Sequence, residues 1–259
     1  RSGQVDWIEV PPPDAIPQLK AAGFQIVTNS YPHNWTHTLR LDKEPWNNKL
    51  VRKAANYAID RVGICKSLLN DTCSPAAGIT YKGHPWFGNP KEKYEYNPAK
   101  AKELLRQAGF DGVSKKPVKP VHLISTSGSG QMLPLPMNEL VQKNLKEVGI
   151  DIDLQPVEWN ALIQRFRLGF KGENEGMNAW NISFNFQEPW SAFGRFFYSK
   201  SVVPVSLNTM PYINPEVDRL LDEAAQTFDI GRQNEILAKL HEIIVDDAPW
   251  IFIVHDLNP

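Results

Sequence analysis

Residues 125–131, Ser-Thr-Ser-Gly-Ser-Gly-Gln, gather hydroxyls, a carboxamide and glycine-exposed backbone N–H groups within one short loop. Such groups suit a neutral, hydroxyl- or amide-rich ligand better than a zwitterion. Ser127 and Gln131 are the candidate binding residues of this loop, and a plain connector is the competing reading. Two sharper chemistries fail here. No Gly-Lys-Ser/Thr follows, so the loop is not a phosphate-cradling P-loop. No glycine stands two residues before Ser127 or Ser129, as a nucleophile elbow requires. His33 and His37 have the i, i+4 spacing of a helical metal pair, but their segment alternates like a strand and no third ligand follows. No metal is expected. Asp151/Asp153 and Asp246/Asp247 read as solvated acids, the latter pair ending a helix. Cys65 and Cys73 either bridge, if their Cα atoms come within about 7 Å, or stand as two separate buried thiols.

Positioning such groups needs a packed body. The 259 residues are 42% hydrophobic and 22% charged, which suits a globular chain with a substantial core. A formal net charge of −1 gives no support for nucleic-acid binding. No apolar run approaches the roughly 20 residues of a membrane-spanning helix, and the first residues carry no signal-peptide core.

Alternation predicts strands at 5–10, 24–30, 34–41, 118–126, 150–159, 179–186 and 249–256. Helical spacing predicts helices at 15–24, 49–60, 61–70, 99–110, 137–149, 214–228 and 229–248. Asn47-Asn48 and Asn97 are expected as N-caps, and Gly109 as a helix stop. Strand, helix and strand over 118–159 read as a βαβ unit, so the fold class is α/β with a mixed or parallel sheet.

Three runs resemble one family. Residues 45–64, PWNNKLVRKAANYAIDRVGI, carry its Val-Arg-x-Ala-x-x-x-Ala-Ile-Asp-Arg pattern. Residues 94–110, YEYNPAKAKELLRQAGF, and 214–229, NPEVDRLLDEAAQTFD, with the close DDAPWIFIVHD, are similar to its later elements. The order and spacing resemble the extracellular solute-binding proteins of family 5, the peptide- and nickel-binding class that serves ABC importers. The resemblance implies a periplasmic-binding-protein type II fold and a receptor without catalysis or cofactor. It also implies periplasmic or lipid-anchored location, a small-molecule ligand, permease subunits as partners, no nucleic acid and a monomer. Members are usually about twice as long, with two lobes. The chain is therefore expected to be a piece in which 1–43 and 247–259 belong to the first lobe and 44–246 form the second. Crossings would lie near Leu39–Lys43 and Asp247–Trp250.

The resemblance also nominates a site in AWNISFNFQEPWSAF. Aligned on Pro189, Trp180 matches the family's first aromatic position, and Asn185 falls where peptide binders place the aspartate that holds a ligand amine. An amide carries no charge for that contact. Trp180, Phe184 and Phe186 read equally well as core residues of a buried strand, and Trp190 flanks the region. Arg195 could hold a ligand carboxylate or form a surface ion pair. Asn208 falls where relatives place a cleft-facing polar loop, although turn asparagines are common. The alternatives to a binding module are a hydrolase using Ser127 or Ser129, which no signature supports, and a protein-interaction or chaperone domain.

Overall fold

Local signals set most of the helices. In a computed structural model, residues 4–30, 33–110, 119–127 and 132–257 are described. The principal helices are α1 (Ile16–Ala21), α2 (Lys49–Ala58), α3 (Pro98–Gln107), α4 (Pro134–Val148), α5 (Trp159–Leu168), α6 (Pro215–Gln226) and α7 (Ile230–Asp247). Five start on a side chain that accepts from the first turn: Asn48 from Leu50 N–H, Asn97 from Lys100, Glu158 from Asn160 and Ala161, Asn214 from Glu216 and Val217, and Asp229 from Arg232. Gly109 takes φ +81° just past α3, a conformation that favours glycine.

The strands are β1 (His33–Leu39), β2 (Cys73–Pro75), β3 (Val121–Ser125), β4 (Asp153–Val157), β5 (Ala179–Asn185) and β6 (Trp250–Asp256). They form one mixed sheet in the order β2-β6-β1-β5-β3-β4. β3 runs parallel to β4 and β5, while β1 is antiparallel to β5 and β6. The β3–α4–β4 unit is the expected βαβ crossover. Every residue of β1 and β6 is buried, as expected of the central strands of a covered sheet.

Residues 5–10 and 24–30, expected as strands, are irregular. Alternation alone supplies no partner strand, and the hydrogen bonds of a strand lie outside itself. Helix α5 was absent from the sequence reading, and residues 61–70 form a short turn followed by a π-turn, not one helix.

Cys65 and Cys73 are bridged, Cα to Cα 5.3 Å, which ties the π-turn to edge strand β2. Such bonds persist in oxidising compartments. Closing a loop eight residues long removes unfolded-state entropy worth about 2.5 kcal/mol. Reduction and alkylation should therefore lower Tm by roughly 5–10 °C. An unchanged melting curve by calorimetry would show that β2 is held by its pairing alone.

The Val-Arg-x-Ala-x-x-x-Ala-Ile-Asp-Arg run has a structural purpose. Arg52 donates to the carbonyls of Trp46, Asp247 and Ala248. Arg61 donates to the carbonyls of Phe252, Asn56, Ile59 and Tyr94 and to the Asn56 side chain. Both guanidiniums are buried: Arg52 ties α2 to the end of α7, and Arg61 ties the turn after α2 to β6. Asp60 caps the same turn at Gly63 N–H, 2.8 Å.

Candidate functional site: the carboxyl edge of the sheet

Strand direction decides which residues can meet. β3, β4, β5 and β6 all run the same way, so their carboxyl ends emerge at one edge. There Ser125, Val157, Asn185 and Asp256 end their strands, and the first residue of β1, His33, stands directly opposite Asn185. Ligands of open α/β sheets bind outside such carboxyl ends.

Asn185 is exposed at the tip of β5. Beyond it, Glu188 accepts from the N–H groups of Trp190, 2.7 Å, and Ser191, opening a π-turn over Trp190–Gly194. Trp190 is half exposed, and its ring lies on Gly194 so closely that a Cβ there would stand 2.0 Å from the ring. A glycine is what lets the indole lie flat. π-turns of this kind recur at functional sites.

Ser127 is exposed just past β3, the strand next to β5, and its N–H donates to Ser125 Oγ, 3.2 Å. Gln131, like Ser129, lies outside the described residues. Asp256 lies 3.4 Å from the His33 imidazole, with both side chains almost wholly buried. This pair was missed from the sequence, where His33 read as an ordinary strand residue. Only the antiparallel register of β1 on β6 brings the two together.

Other nominated residues have structural surroundings. Trp180 is fully buried, stacked on Phe170 at 5.1 Å with Phe166 edge-on at 5.8 Å. Phe184 packs on Phe196 and Trp250, ring centroids 4.4 and 5.6 Å apart. Asn208 is buried: its Nδ2 donates to the carbonyls of Tyr198 and Tyr212, and its Oδ1 accepts from Tyr212 N–H. It braces its own loop from within and offers nothing to a cleft. Arg195 lies partly buried over the Phe196 ring at 5.6 Å. Of the nominated and described residues, Asn185, Trp190 and Ser127 are the ones exposed in the carboxyl-end region.

Behind the edge the sheet is ringed by neutral histidines. His241 on α7 accepts from Ile79 and Thr80 N–H through Nε2 and lies 2.7 Å from the Phe87 carbonyl through Nδ1. That geometry fixes Nδ1–H as its tautomer, and burial pushes its pKa down to about 4. His255, opposite Asn34 across β1 and β6, is buried and pushed down to about 3, chiefly by desolvation. His33 and His37, spaced as a metal pair, face different partners, Asp256 and His122. Among the described residues no group of three or more His, Cys, Asp or Glu is placed to hold a metal ion. No described helix is long and apolar enough to cross a membrane.

Comparison with known proteins places this geometry. Residues 1–202 match the family model of the bacterial extracellular solute-binding proteins, family 5 middle region. The oligopeptide-binding protein AppA of Bacillus subtilis (strain 168) is 27% identical over 271 residues, covering 100% of this chain and 48% of that protein. The glutathione-binding protein GsiB of Pectobacterium atrosepticum is 28% identical over 226 residues, covering 83% and 41%. The murein tripeptide-binding protein MppA of Escherichia coli superposes with TM-score 0.80 at 24% identity, over 99% of this chain and 49% of that one. DppA of Helicobacter pylori, solved with the peptide STSA, superposes with TM-score 0.79 at 23% identity, over 96% and 46%. The chain thus spans about half the length of the curated relatives it matches. With its motifs, mixed sheet and matched region in agreement, the chain belongs to the bacterial extracellular solute-binding proteins of family 5.

Proposed function

We propose that this chain is the larger part of one lobe of an ABC-importer receptor, which captures a small polar or peptide-like solute at the carboxyl edge of its sheet. The observation that carries the reading is the convergence of four strand ends on one edge, with Asn185, Ser127 and the half-exposed Trp190 around it. A second lobe would close over that edge by hinge motion, burying the solute among a few placed polar groups. Permease subunits would be its partners, and the periplasm or a lipid-anchored outer face its place. The monomer is the proposed working unit.

The sheet favours crossings other than those expected from sequence. Leu39 and Trp250 lie at the opposite edge, where Leu39 N–H donates to the Pro249 carbonyl, and Arg40 and Leu41 bond into the body at Asn178 and Met210. Chain leaving the sheet beside Asn185 does so before His33 and after Asp256, and there Asn29 N–H donates to the Leu257 carbonyl. We place the hinge at that pair of segments, so β1 and β6 belong to the same lobe as β5.

Native mass spectrometry of the complete mature protein tests capture: a retained small mass supports it, and a retained protein partner in its place points to an interaction domain. Asn185 tests the anchor. Asn185→Asp supplies the charge that a ligand ammonium requires, so affinity for free-amine peptides should rise about tenfold in calorimetry. No gain would move the anchor away from the tip of β5.

A further inference from the structure

His37 on β1 and His122 on β3 are fully buried, and their Nδ1 atoms are 3.0 Å apart across β5. A neutral imidazole carries one N–H, so this contact needs one Nδ1 as donor and the other as acceptor. The two rings therefore hold opposite tautomers. At the far nitrogens, one ring presents Nε2–H and the other a bare Nε2, and neither finds a partner of normal hydrogen-bond geometry among the described residues.

The leftover atoms around them match those ends. Asn138 on α4 acts on the His37 ring as a hydrogen-bond partner, and its Oδ1 is a buried acceptor otherwise unused. Trp46 lies against His122, ring centroids 5.5 Å apart, and its Nε1–H is a buried donor otherwise unused. The unused acceptor is thus on the residue that acts on His37, and the unused donor on the ring that packs against His122. The direction continues beyond Asn138, whose Nδ2 donates to Asn181 Oδ1, 2.8 Å, and to the Pro134 carbonyl, 2.7 Å. Asn181 Nδ2 then donates to the Thr36 carbonyl, 3.0 Å.

We propose that Trp46, His122, His37, Asn138 and Asn181 form one directional hydrogen-bond relay that locks the first turn of α4 to the sheet. In it Trp46 N–H donates toward His122 Nε2, His122 Nδ1–H to His37 Nδ1, and His37 Nε2–H toward Asn138 Oδ1. The residues are positioning residues: through Asn138 the relay fixes where the start of α4 sits against β5. The Nδ1–Nδ1 contact pairs a donor with an acceptor only while both rings are neutral. One added proton turns the Nδ1–Nδ1 contact into two donors, and the relay breaks.

Among the described residues no acid is found to offset that charge. His37 is acted on by burial and Asn138, and His122 by burial and His37. Along the same face of β1, His33 is engaged with Asp256 at the sheet edge. Asn181 on β5, Asn138 on α4 and Trp46 bring no charge.

Long-range nitrogen–proton NMR of the full chain at pH 7 reads the relay directly, independently of any solute. The expected result is Nε2–H on His37 and Nδ1–H on His122. Both rings as Nε2–H, the reverse assignment, or a charged ring would overturn the relay. Trp46→Phe keeps the ring but removes the head donor. His122 should then populate both tautomers, and amide-exchange protection in the first turn of α4 should fall about tenfold, the worth of one ordinary hydrogen bond. Unchanged tautomers with unchanged protection in that variant would overturn the latch.

Discussion

Taken from pH 7 to pH 4, the protein is expected to unfold cooperatively, well above the range in which carboxylates alone would denature it. Burial holds His37 at about 3, His241 at about 4 and His255 at about 3, against an ordinary value of 6.5. His122 moves in the same direction, by burial and by the neighbouring His37 ring. These are bases whose folded pKa lies below the unfolded one. The unfolded chain therefore binds more protons throughout the window between the two values, and stability falls as pH falls. Their contribution is fully present above about pH 6.5 and is withdrawn progressively down to pH 3–4. At pH 5 each ring costs about 2 kcal/mol, and the three with stated values about 6 kcal/mol, against a typical total stability of about 5–15 kcal/mol. Asp247 and Glu92, held low by hydrogen bonds and ion pairs that outweigh their desolvation, add to the loss only at lower pH. Urea midpoints by circular dichroism at pH 7, 6 and 5 measure the slope. A midpoint that stays flat from pH 7 to pH 5 would show these rings to be hydrated or paired in solution.

The second large effect belongs to Arg61. Arg61→Met keeps much of the side-chain volume but removes every donor to the carbonyls of Phe252, Asn56 and Tyr94, at 2.7, 2.8 and 2.9 Å. Buried acceptors left without a donor cost about 1–3 kcal/mol each, so a loss of about 3–5 kcal/mol is expected after partial rearrangement. The charge itself is held in place by carbonyl oxygens: burial lowers the guanidinium to about 9, still protonated at neutral pH. Arg61→Lys should recover only a fraction, because one ammonium cannot span oxygens that the planar fork reaches together. Denaturant unfolding of both variants decides it. A methionine variant within 1 kcal/mol of the parent would mean that β6 is held by its strand pairing and apolar contacts alone.

What the sequence determined by itself was whatever depends on near neighbours. The caps at Asn48 and Asn97, the stop at Gly109 and the long amphipathic α7 are local, and they stand where the spacing puts them. The apolar run of β6 was equally plain, because a central strand buries both faces, while β1 was legible from its alternation. The family was legible for a related reason: Arg52 and Arg61 sit nine apart in a run whose types are fixed by the clamp they form. Helix α5 carried a weaker signal, with Leu162 and Phe166 its only buried residues, although Glu158 before it accepts from two N–H groups of its first turn.

Tertiary structure decided everything that depends on strand order. Residues 5–10 and 24–30 alternate as well as many real strands, yet no neighbour pairs with them in the sheet. Trp180 and Asn185 lie on one short strand, and the end of that strand separates a core indole from an exposed amide. His37 and His122, 85 residues apart, meet because β1 and β3 flank β5. His33 and Asp256 meet because β1 lies antiparallel on β6. Spacing along the chain fixes which face a side chain takes within its own element. Which distant element that face will meet is set by the sheet's pairing order, and that order is an energy of the whole fold, written in no single segment.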